Sequence, residues 1–573
     1  MRFIYFTLFF AFTTSLVAQT IKTGKTGFVS PTKEENPSLT GSFAEIRPNH
    51  FHAGLDFSTD GVIGKKLYAI GDGYISRIKV SHTGYGKALY ITHYNGFTSV
   101  YGHLDEYNST IDSLVTAIQY EKRSFNFDQY FEKDQYKVKS GDFIALSGNS
   151  GHSGGPHLHF ELRDTESEWV VNPLFHILGV KDKIAPIVNA IVIYPLSENS
   201  TINGKRASQQ FEVVKVGNKL QLKDNPVIKV AGTFGVGVKS YDLLDGSPRK
   251  CGIYSLSVRE NDNSVFYVDL YSFSFDESRY VNSLSDYKAK ISNNETIIRG
   301  YIEPNNHLSI YKKTINRGEM IVGAGKKSAL SIEVADGSKN ISKIDFTITG
   351  AKEIADASKS SKSGKLITCN EQLTKEISSI SFTFEPASIY KDFYLTASMS
   401  EVNKLYNSPV YTLGSREVPI HSKVDVSIKI PSNLTSKSKH LTVCRINKSE
   451  KLEYVGGAVE DGRFKFSIRE FGRYVFAVDS LGPALSFFKL PKENDYKGRR
   501  YLAVTATDKC SEIAAYEGYI DGKWVLFEYD EKNDLLLCPL AKAPIARNKK
   551  HKLSLTVTDK MGNKKKITLD FKY

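Results

Sequence analysis

Two short motifs far apart in the chain contain the residue types that bind a catalytic metal ion. They are His52-Ala-Gly-Leu-Asp56 and His157-Leu-His159. A catalytic zinc site takes three protein ligands from His, Asp or Glu and keeps a fourth position for water. His52, Asp56 and His159 would supply these three ligands, which leaves His157 to carry a proton.

The spacing of the two motifs predicts how the chain must position them. Residues two apart on a strand point to the same face, so we expect His157 and His159 to project together. His52 and Asp56 share a face whether their segment is extended or helical, and Gly54 leaves room where a side chain would crowd the metal. The apolar residues predicted on the opposite face of the second strand are Leu158, Phe160 and Leu162.

The surroundings of both motifs resemble the lysostaphin/LytM family of zinc endopeptidases, which cleave the peptide bridges and stems of bacterial peptidoglycan. The resemblance covers about residues 40–175, under a third of the chain. The segments that carry it are 49–56 (NHFHAGLD), 71–73 (GDG), 84–86 (GYG), 101–104 (YGHL) and 147–161 (SGNSGHSGGPHLHFE).

The resemblance implies a role for five residues and one Zn²⁺ ion per chain. His52, Asp56 and His159 would be the zinc ligands, and His103 and His157 would be the catalytic pair. None of the five is substituted, whereas the non-catalytic members of the family have lost ligands and activate other cell-wall enzymes. Zinc lowers the pKa of bound water to about 7, and a histidine can transfer the proton or stabilise the oxyanion. The sequence leaves the division of labour between His103 and His157 open.

Other residues near the motifs have competing interpretations. Glu161 could hold a ligating imidazole by its second nitrogen, or it could be a solvated carboxylate at the end of a strand. His93 is the main rival of His103, and we interpret it as structural or pocket-lining. His50 and His152 could contact substrate, although solvent exposure is the simpler expectation. The remaining histidines of this region, expected at the surface or in packing, are His82 and His176.

The composition favours an exported β-rich protein with an acidic polymer as its partner. The 573 residues are too many for one compact core, and they carry a net charge of +13. Peptidoglycan has many carboxylates, which suits a basic surface. Nucleic acid is not expected, because the chain has no helix-turn-helix or zinc-finger pattern.

The amino terminus predicts export. Met1-Arg2 precedes an apolar stretch and then Val17-Ala18-Gln19, which is typical of a signal peptide over residues 1–18. No other segment reaches the length of a membrane span, so the mature chain should have no transmembrane span. We expect the protein in the periplasm or cell envelope, or secreted.

Among five scattered cysteines, Cys510 and Cys538 are the most plausible disulfide pair on domain grounds.

The predicted fold class is mainly β, with a small antiparallel metallopeptidase domain at residues 19–180. Within it, residues 107–137 are interpreted as an insertion, because residues 112–120 have helical spacing. This helix would either wall the substrate groove or pack away from it.

Several β-modules should follow the peptidase domain. Two hairpins, at residues 330–346 and 553–571, closely parallel each other in sequence. We therefore expect two immunoglobulin-like sandwiches, at 184–349 and 481–573, with a linker at 350–365 and another β-module at 366–480. None of the modules has a catalytic cluster, and envelope proteins are their possible partners.

Three functions compete at this stage. The first is an exported zinc endopeptidase that hydrolyses peptide cross-links or stems of peptidoglycan. The second is a non-catalytic envelope protein that binds peptidoglycan or activates another cell-wall hydrolase. The third is the same zinc chemistry directed at a protein substrate.

Overall fold

The computed structural model describes residues 27–177, 179–352 and 363–573. The predicted signal peptide and most of the predicted linker lie outside the described residues. The fold is mainly β, and an antiparallel sheet in the amino-terminal domain is followed by further β-modules, which confirms the predicted class. No described helix is long and apolar enough to cross a membrane.

The amino-terminal domain is built on one large antiparallel sheet. Its strands run in the order β1-β4-β13-β8-β7-β6-β10, and a second sheet has the order β5-β12-β9. Both sheets share a buried apolar core, in which Leu158, Phe160 and Leu162 are fully buried as predicted. The elements are β1 (Leu39–Gly41), β2 (Ile46–Arg47), β3 (His50–Phe51), β4 (Leu55–Ser58), β5 (Lys66–Tyr68), β6 (Gly73–Val80), β7 (Lys87–His93), β8 (Phe97–Gly102), β9 (Leu104–Tyr107), α1 (Ser109–Lys122), β10 (Phe127–Tyr130), β11 (Lys137–Val138), β12 (Phe143–Ser147), β13 (His157–Asp164) and β14 (Val170–Val171).

Helix α1 occupies the predicted insertion and extends beyond residues 112–120 at both ends. The Asn108 side chain accepts a hydrogen bond from the backbone N–H of Ile111, which caps the helix start. Arg123 adopts a left-handed conformation at the other end. Ile111, Val115 and Ile118 form the buried face, because residues three and four apart lie on one side of a helix.

The second unit continues the core of the first. Strand β14 pairs with β24, so the large sheet of the amino-terminal domain gains a strand from the following module. Apolar residues of both units form one cluster. The elements are β15 (Ile187–Pro195), β16 (Thr201–Ile202), β17 (Gln209–Val216), β18 (Lys219–Leu222), β19 (Ile228–Ala231), β20 (Thr233–Leu243), β21 (Lys250–Cys251), β22 (Ser255–Glu260), β23 (Asn263–Asp269), β24 (Ser272–Phe273), α2 (Val281–Leu284), α3 (Tyr287–Asn293), β25 (Ile297–Arg299), β26 (Tyr311–Thr314), β27 (Met320–Ile321), β28 (Lys327–Ala335) and β29 (Ile341–Gly350).

The third unit has its own core between two five-stranded sheets, β31-β32-β36-β40-β39 and β34-β35-β41-β37-β38. Its strands are β30 (Lys365–Ile367), β31 (Leu373–Ile377), β32 (Ile380–Phe384), β33 (Phe393–Leu395), β34 (Ala397–Asn403), β35 (Ser408–Leu413), β36 (Pro419–Lys429), β37 (Leu441–Ile446), β38 (Leu452–Gly456), β39 (Ala458–Glu460), β40 (Arg463–Glu470) and β41 (Gly472–Val478).

The carboxy-terminal module contains two four-stranded sheets, β42-β43-β47-β46 and β45-β44-β48-β49, around a third core. That arrangement is a sandwich, while its predicted immunoglobulin-like topology stays a prediction. The strands are β42 (Ala484–Phe487), β43 (Tyr501–Thr507), β44 (Ile513–Ile520), β45 (Lys523–Val525), β46 (Glu528–Asp530), β47 (Leu535–Pro539), β48 (Lys550–Asp559) and β49 (Lys564–Lys572).

The carboxy-terminal module folds back onto the amino-terminal domain. The rings of Tyr120 on α1 and Trp524 meet edge to face at 5.2 Å, and Leu526 joins the core that includes the amino-terminal domain. Lys87 forms a half-buried ion pair with Glu528, with 3.0 Å between Nζ and Oε2. The predicted insertion therefore serves as a docking platform for residues about four hundred positions further along.

Candidate metal centre

Strands β4 and β13, with the loop that precedes β4, bring the predicted ligands together. β4 pairs with β13 in a register that places Asp56 directly opposite His159. His52 lies in the short loop between β3 and β4. Gly54 is needed in this loop for a reason other than the predicted one: a Cβ there would lie 2.1 Å from the backbone oxygen of Phe160, so it would collide with β13 rather than with the metal.

The three predicted ligands form a compact, buried triangle. Nε2 of His52, Oδ1 of Asp56 and Nδ1 of His159 lie 3.0 Å from one another. All three residues are buried, with exposed fractions of 2–5%. A tetrahedral zinc ion with bonds of about 2.0–2.2 Å separates its ligand atoms by about 3.3 Å. Two imidazole nitrogens and one carboxylate oxygen therefore fit such an ion, and a fourth position remains for water or substrate.

Each predicted ligand makes a second hydrogen bond on the side that faces away from the triangle. Nδ1 of His52 donates to the backbone oxygen of Ser42 at 2.7 Å, which leaves Nε2 free to face the triangle. Arg47 donates to Oδ2 of Asp56 at 2.6 Å, so Oδ1 alone points inward. Such outer contacts fix the tautomer and orientation of metal ligands. The sequence around Arg47 gave no signal for this contact.

Glu161 holds the third ligand and is not a solvated residue. Its side chain is fully buried, and its Oε1 accepts a hydrogen bond from Nε2 of His159 at 3.0 Å. Oε2 accepts two hydrogen bonds from Arg163 at 2.8 and 2.5 Å. Tyr85 also donates to Oε1 and stacks on the His159 ring. Burial opposes ionisation, but Arg163 and His159 lower the pKa of Glu161 to about 2.

The electrostatics of the triangle favour a bound cation. Burial opposes ionisation of Asp56, yet the surrounding histidines hold its pKa well below the ordinary value. Burial lowers the pKa of His52. It acts in the same direction on His159, where Asp56 and Glu161 outweigh it and raise the pKa to about 9. The Asp56 carboxylate is thus kept charged. The same negative charge that attracts a proton to His159 would attract a metal ion to the triangle.

His103 and His157 lie beside the triangle as a pair. Their ring centroids are 4.8 Å apart. Nδ1 of His103 donates to the oxygen of Ser150, and Nδ1 of His157 donates to the oxygen of Gly155, both at 2.8 Å. These bonds leave both Nε2 lone pairs free, and Nε2 of His157 lies 3.4 Å from Oδ1 of Asp56.

The backbone and charge state of His103 are unusual. It has a φ of 59°, a left-handed conformation that non-glycine residues rarely adopt and that is found at functional sites. Burial, together with His159 and His157, lowers the pKa of His103 to about 3. The imidazole is therefore neutral at neutral pH.

His93, the rival of His103, lies outside this group. It is buried, its Nδ1 donates to the oxygen of Asp72 at 3.1 Å, and its Nε2 lies 2.8 Å from Oγ of Ser99. Burial lowers its pKa to about 4. Its role is structural packing against Phe28, whose ring centroid is 4.8 Å away.

The remaining histidines have the simple environments expected of them. His50 and His152 are exposed, and His82 is half-buried beside Asn126 and the ring of Tyr529. His176 is buried and lies 3.0 Å from the hydroxyl of Tyr271.

The loop that accepts hydrogen bonds from His103 and His157 is also contacted by the carboxy-terminal module. Lys532 donates to the backbone oxygens of Asn149 and Ser153, the latter at 3.5 Å. His152 lies 3.7 Å from Glu531. The sequence could not reveal this contact, because it joins positions about 380 residues apart.

The predicted disulfide between Cys510 and Cys538 does not form. Cys538 is buried in the core between the two sheets of the last module. Cys510 instead faces Cys444 of the preceding module, with 3.8 Å between the two sulfurs. The domain-based pairing was wrong because Cys510 lies at the junction between two modules.

Comparison with known proteins identifies the domain that contains this site. Residues 50–120 match the model of peptidase family M23. The amino-terminal domain is a family M23 peptidase domain. The match includes His52, Asp56 and His103 and ends before His157. Further along, residues 364–479 match the Zu5-like domain.

Two sequence relatives of the M23 domain support the same assignment. The chain is 35% identical over 129 residues to an uncharacterized metalloprotease of Haemophilus influenzae, which covers 22% of this chain and 21% of that protein. It is 34% identical over 111 residues to the peptidoglycan DD-endopeptidase ShyB of Vibrio cholerae. That match covers 19% of this chain and 20% of ShyB. The chain spans about a fifth of the length of these relatives. The catalytic domain of lysostaphin from Staphylococcus simulans is 23% identical with a TM-score of 0.18, covering 24% of this chain and 90% of that one.

Proposed function

We propose that this chain is an exported zinc endopeptidase that hydrolyses peptide cross-links or stems of peptidoglycan. The observation that carries the proposal is the triangle of His52, Asp56 and His159, with three edges of 3.0 Å, beside two further histidines. A relative named as a peptidoglycan DD-endopeptidase supports the substrate class. The net charge of +13 suits a polymer rich in carboxylates.

The chemistry follows from the donor set and its neighbours. When bound there, Zn²⁺ lowers the pKa of water and polarises a carbonyl oxygen. His157 presents Nε2 next to the triangle, so it can take a proton from the attacking water and return one to the leaving amine. His103 presents Nε2 at the same opening, where it can accept a proton during the transfer; once Nε2 carries that proton, it can donate a hydrogen bond to the oxyanion.

The hydrogen bonds behind both histidines make these roles possible. Because each Nδ1–H is bound to a backbone oxygen, the ring cannot turn away and the basic nitrogen is always Nε2. Arg47 and Glu161 similarly keep Asp56 and His159 aimed inward. The site is therefore prepared before substrate arrives.

The deciding experiment is mass spectrometry of the soluble products after the protein is incubated with purified sacculi, with and without a zinc chelator. We expect release of peptide-cleaved muropeptides that stops when zinc is removed. His157→Ala and His103→Ala should each lower the rate by about 10²–10⁴-fold while retaining zinc. His50→Ala is the matched control, because His50 is exposed and outside the triangle.

Each other outcome has a definite meaning. Cleavage products that persist in the chelator would contradict the zinc mechanism. Binding to sacculi without any cleavage, unchanged by His157→Ala, would favour the non-catalytic envelope protein. Cleavage of a protein but not of sacculi would favour a protein substrate.

A further inference from the structure

Two groups of three aspartates lie outside the peptidase site, one in each of the modules predicted to be immunoglobulin-like. In each group, one carboxylate oxygen from every member lies within 4.8 Å of the others. We call them the first and second aspartate clusters. The first consists of Asp182, Asp242 and Asp336, and the second of Asp479, Asp508 and Asp559.

The two clusters occupy equivalent places in their modules. One aspartate precedes the first strand, β15 or β42. Another lies at the end of the strand β20 or β43 that pairs with that first strand. The last lies at the end of β28 or β48, where the hairpin turns. These three locations are far apart in sequence, so the modules bring the carboxylates together by folding.

An asparagine organises each cluster in the same way. Backbone N–H and Nδ2 of Asn340 donate to the two carboxylate oxygens of Asp336 at 2.9 and 2.8 Å, and Nδ2 also donates to the backbone oxygen of Asp182 at 3.3 Å. Asn563 makes the same three bonds in the second cluster at 2.8, 3.0 and 3.3 Å. The hairpin turn is thus tied to the chain that enters the module.

Both clusters contain a buried carboxylate oxygen that has no hydrogen-bond partner. Asp242 is 3% exposed and its Oδ1 is unpartnered, and Asp479 is 6% exposed with an unpartnered Oδ2. Within the described residues, no lysine or arginine forms an ion pair with any of the six aspartates. Burial and the neighbouring carboxylates raise the pKa of Asp242 to about 8, and burial is the main cause that raises the pKa of Asp182 to about 6. Among the described residues, neither aspartate cluster has a positively charged partner that would balance its buried carboxylates.

We propose that each aspartate cluster binds one Ca²⁺ ion. Oxygen donors alone select a hard cation, and Ca²⁺ accepts several carboxylates in flexible geometry, whereas Mg²⁺ usually keeps several waters and takes one or two carboxylates. A divalent charge among three carboxylates removes most of their mutual repulsion. This inference is independent of the proposed peptidase activity.

The position of the clusters indicates what the ions do. Asp182 belongs to the segment that leaves the peptidase domain, and Gly337 of the hairpin turn packs against Leu174 of that domain, where an added Cβ would lie 3.1 Å from Cδ1. Asp479 belongs to the segment that leaves the Zu5-like region. Each ion would therefore fix the orientation of a module relative to the unit before it.

The test is isothermal titration of CaCl₂ into the metal-depleted full chain, without its predicted signal peptide. We expect two Ca²⁺ ions per chain. Asp242→Asn and Asp508→Asn should each reduce the number to one, and the double variant should bind none. His159→Ala should still bind two, which shows that the ions do not occupy the peptidase centre.

A thermal unfolding series keeps the test decisive if affinity is too low for titration. With Ca²⁺ removed by EGTA, Asp242→Asn should unfold at a Tm equal to or above that of the wild type, because it relieves repulsion. When Ca²⁺ is added, the wild type should gain more Tm than Asp242→Asn, which keeps only the second cluster, and the double variant Asp242→Asn/Asp508→Asn should gain none. The proposal would be overturned if the wild type neither bound Ca²⁺ nor gained Tm from it. If Asp242→Asn also had a lower Tm than the wild type in EGTA, the cluster would consist of protonated carboxylates held by hydrogen bonds.

Discussion

Replacing the buried Glu161 with glutamine separates metal binding from folding at the candidate site. The carboxylate connects Nε2 of His159, at 3.0 Å, to the guanidinium of Arg163, at 2.8 and 2.5 Å. Glutamine has the same size but no charge, and it keeps only one oxygen for these two donors. The variant therefore weakens the orientation of a zinc ligand and leaves a buried cation without its partner.

The two effects have different magnitudes. Loss of an outer partner of a metal ligand typically lowers metal affinity 10–100-fold, which is about 1.4–2.7 kcal/mol. Breaking a buried ion pair costs about 3–5 kcal/mol. The Arg163 side chain is only 9% exposed, so solvent screens it little. Because glutamine keeps one acceptor, we expect the metal-free Glu161→Gln protein to lose about 3 kcal/mol, the lower end of that range.

Chelator competition measures the zinc affinity, and urea unfolding in EDTA measures the stability. The control is the double variant Glu161→Gln/Arg163→Met, which removes the stranded charge. It should recover most of the stability and none of the zinc affinity. If the double variant regained wild-type affinity, or if Glu161→Gln never lost it, Glu161 would act in folding alone and the argument about His159 would be refuted.

Three further predictions concern the packing around the site and the module junctions. Gly54→Ala should abolish zinc binding, because its Cβ would lie 2.1 Å from a backbone oxygen of β13, while Gly154→Ala, with nothing within 4 Å, should keep full zinc content by atomic absorption. Lys532→Ala should lower kcat by up to about 10²-fold with zinc content unchanged, since it frees the loop that holds the catalytic pair; an unaltered kcat would contradict this. Mild oxidation should join Cys444 to Cys510, whose sulfurs lie 3.8 Å apart, and mass spectrometry of tryptic peptides should find no such link in Cys444→Ser.

The sequence was sufficient for the residues that meet at the site because strand periodicity and motif spacing are local properties. Alternation along 157–162 predicted which side chains face the core, and the structure buries all three apolar ones. The helical spacing of residues 112–120 predicted a helix, and the structure has α1 there. In both cases a few neighbouring residues determine the outcome.

The sequence was insufficient wherever distant segments meet. The burial of Glu161 depends in part on Tyr85, which reaches it from the turn between β6 and β7, 76 residues earlier in the chain. The orientation of Gly54 toward β13 depends on strand pairing across about a hundred residues. The partner of Cys510 depends on how two modules are placed. Such long-range contacts leave no periodic pattern in one sequence.

The packing of the carboxy-terminal module against the amino-terminal domain also affects the order in which parts of the protein can finish folding. Helix α1 and the loop before β13 receive Trp524 and Lys532 as neighbours, and both are among the final fifty residues of the printed sequence. A chain still emerging during synthesis would have all its ligand residues but none of these contacts. The candidate metal centre would therefore reach its final form only after residues 524–532 had been synthesised and packed against it, and shorter nascent fragments would carry an unfinished one.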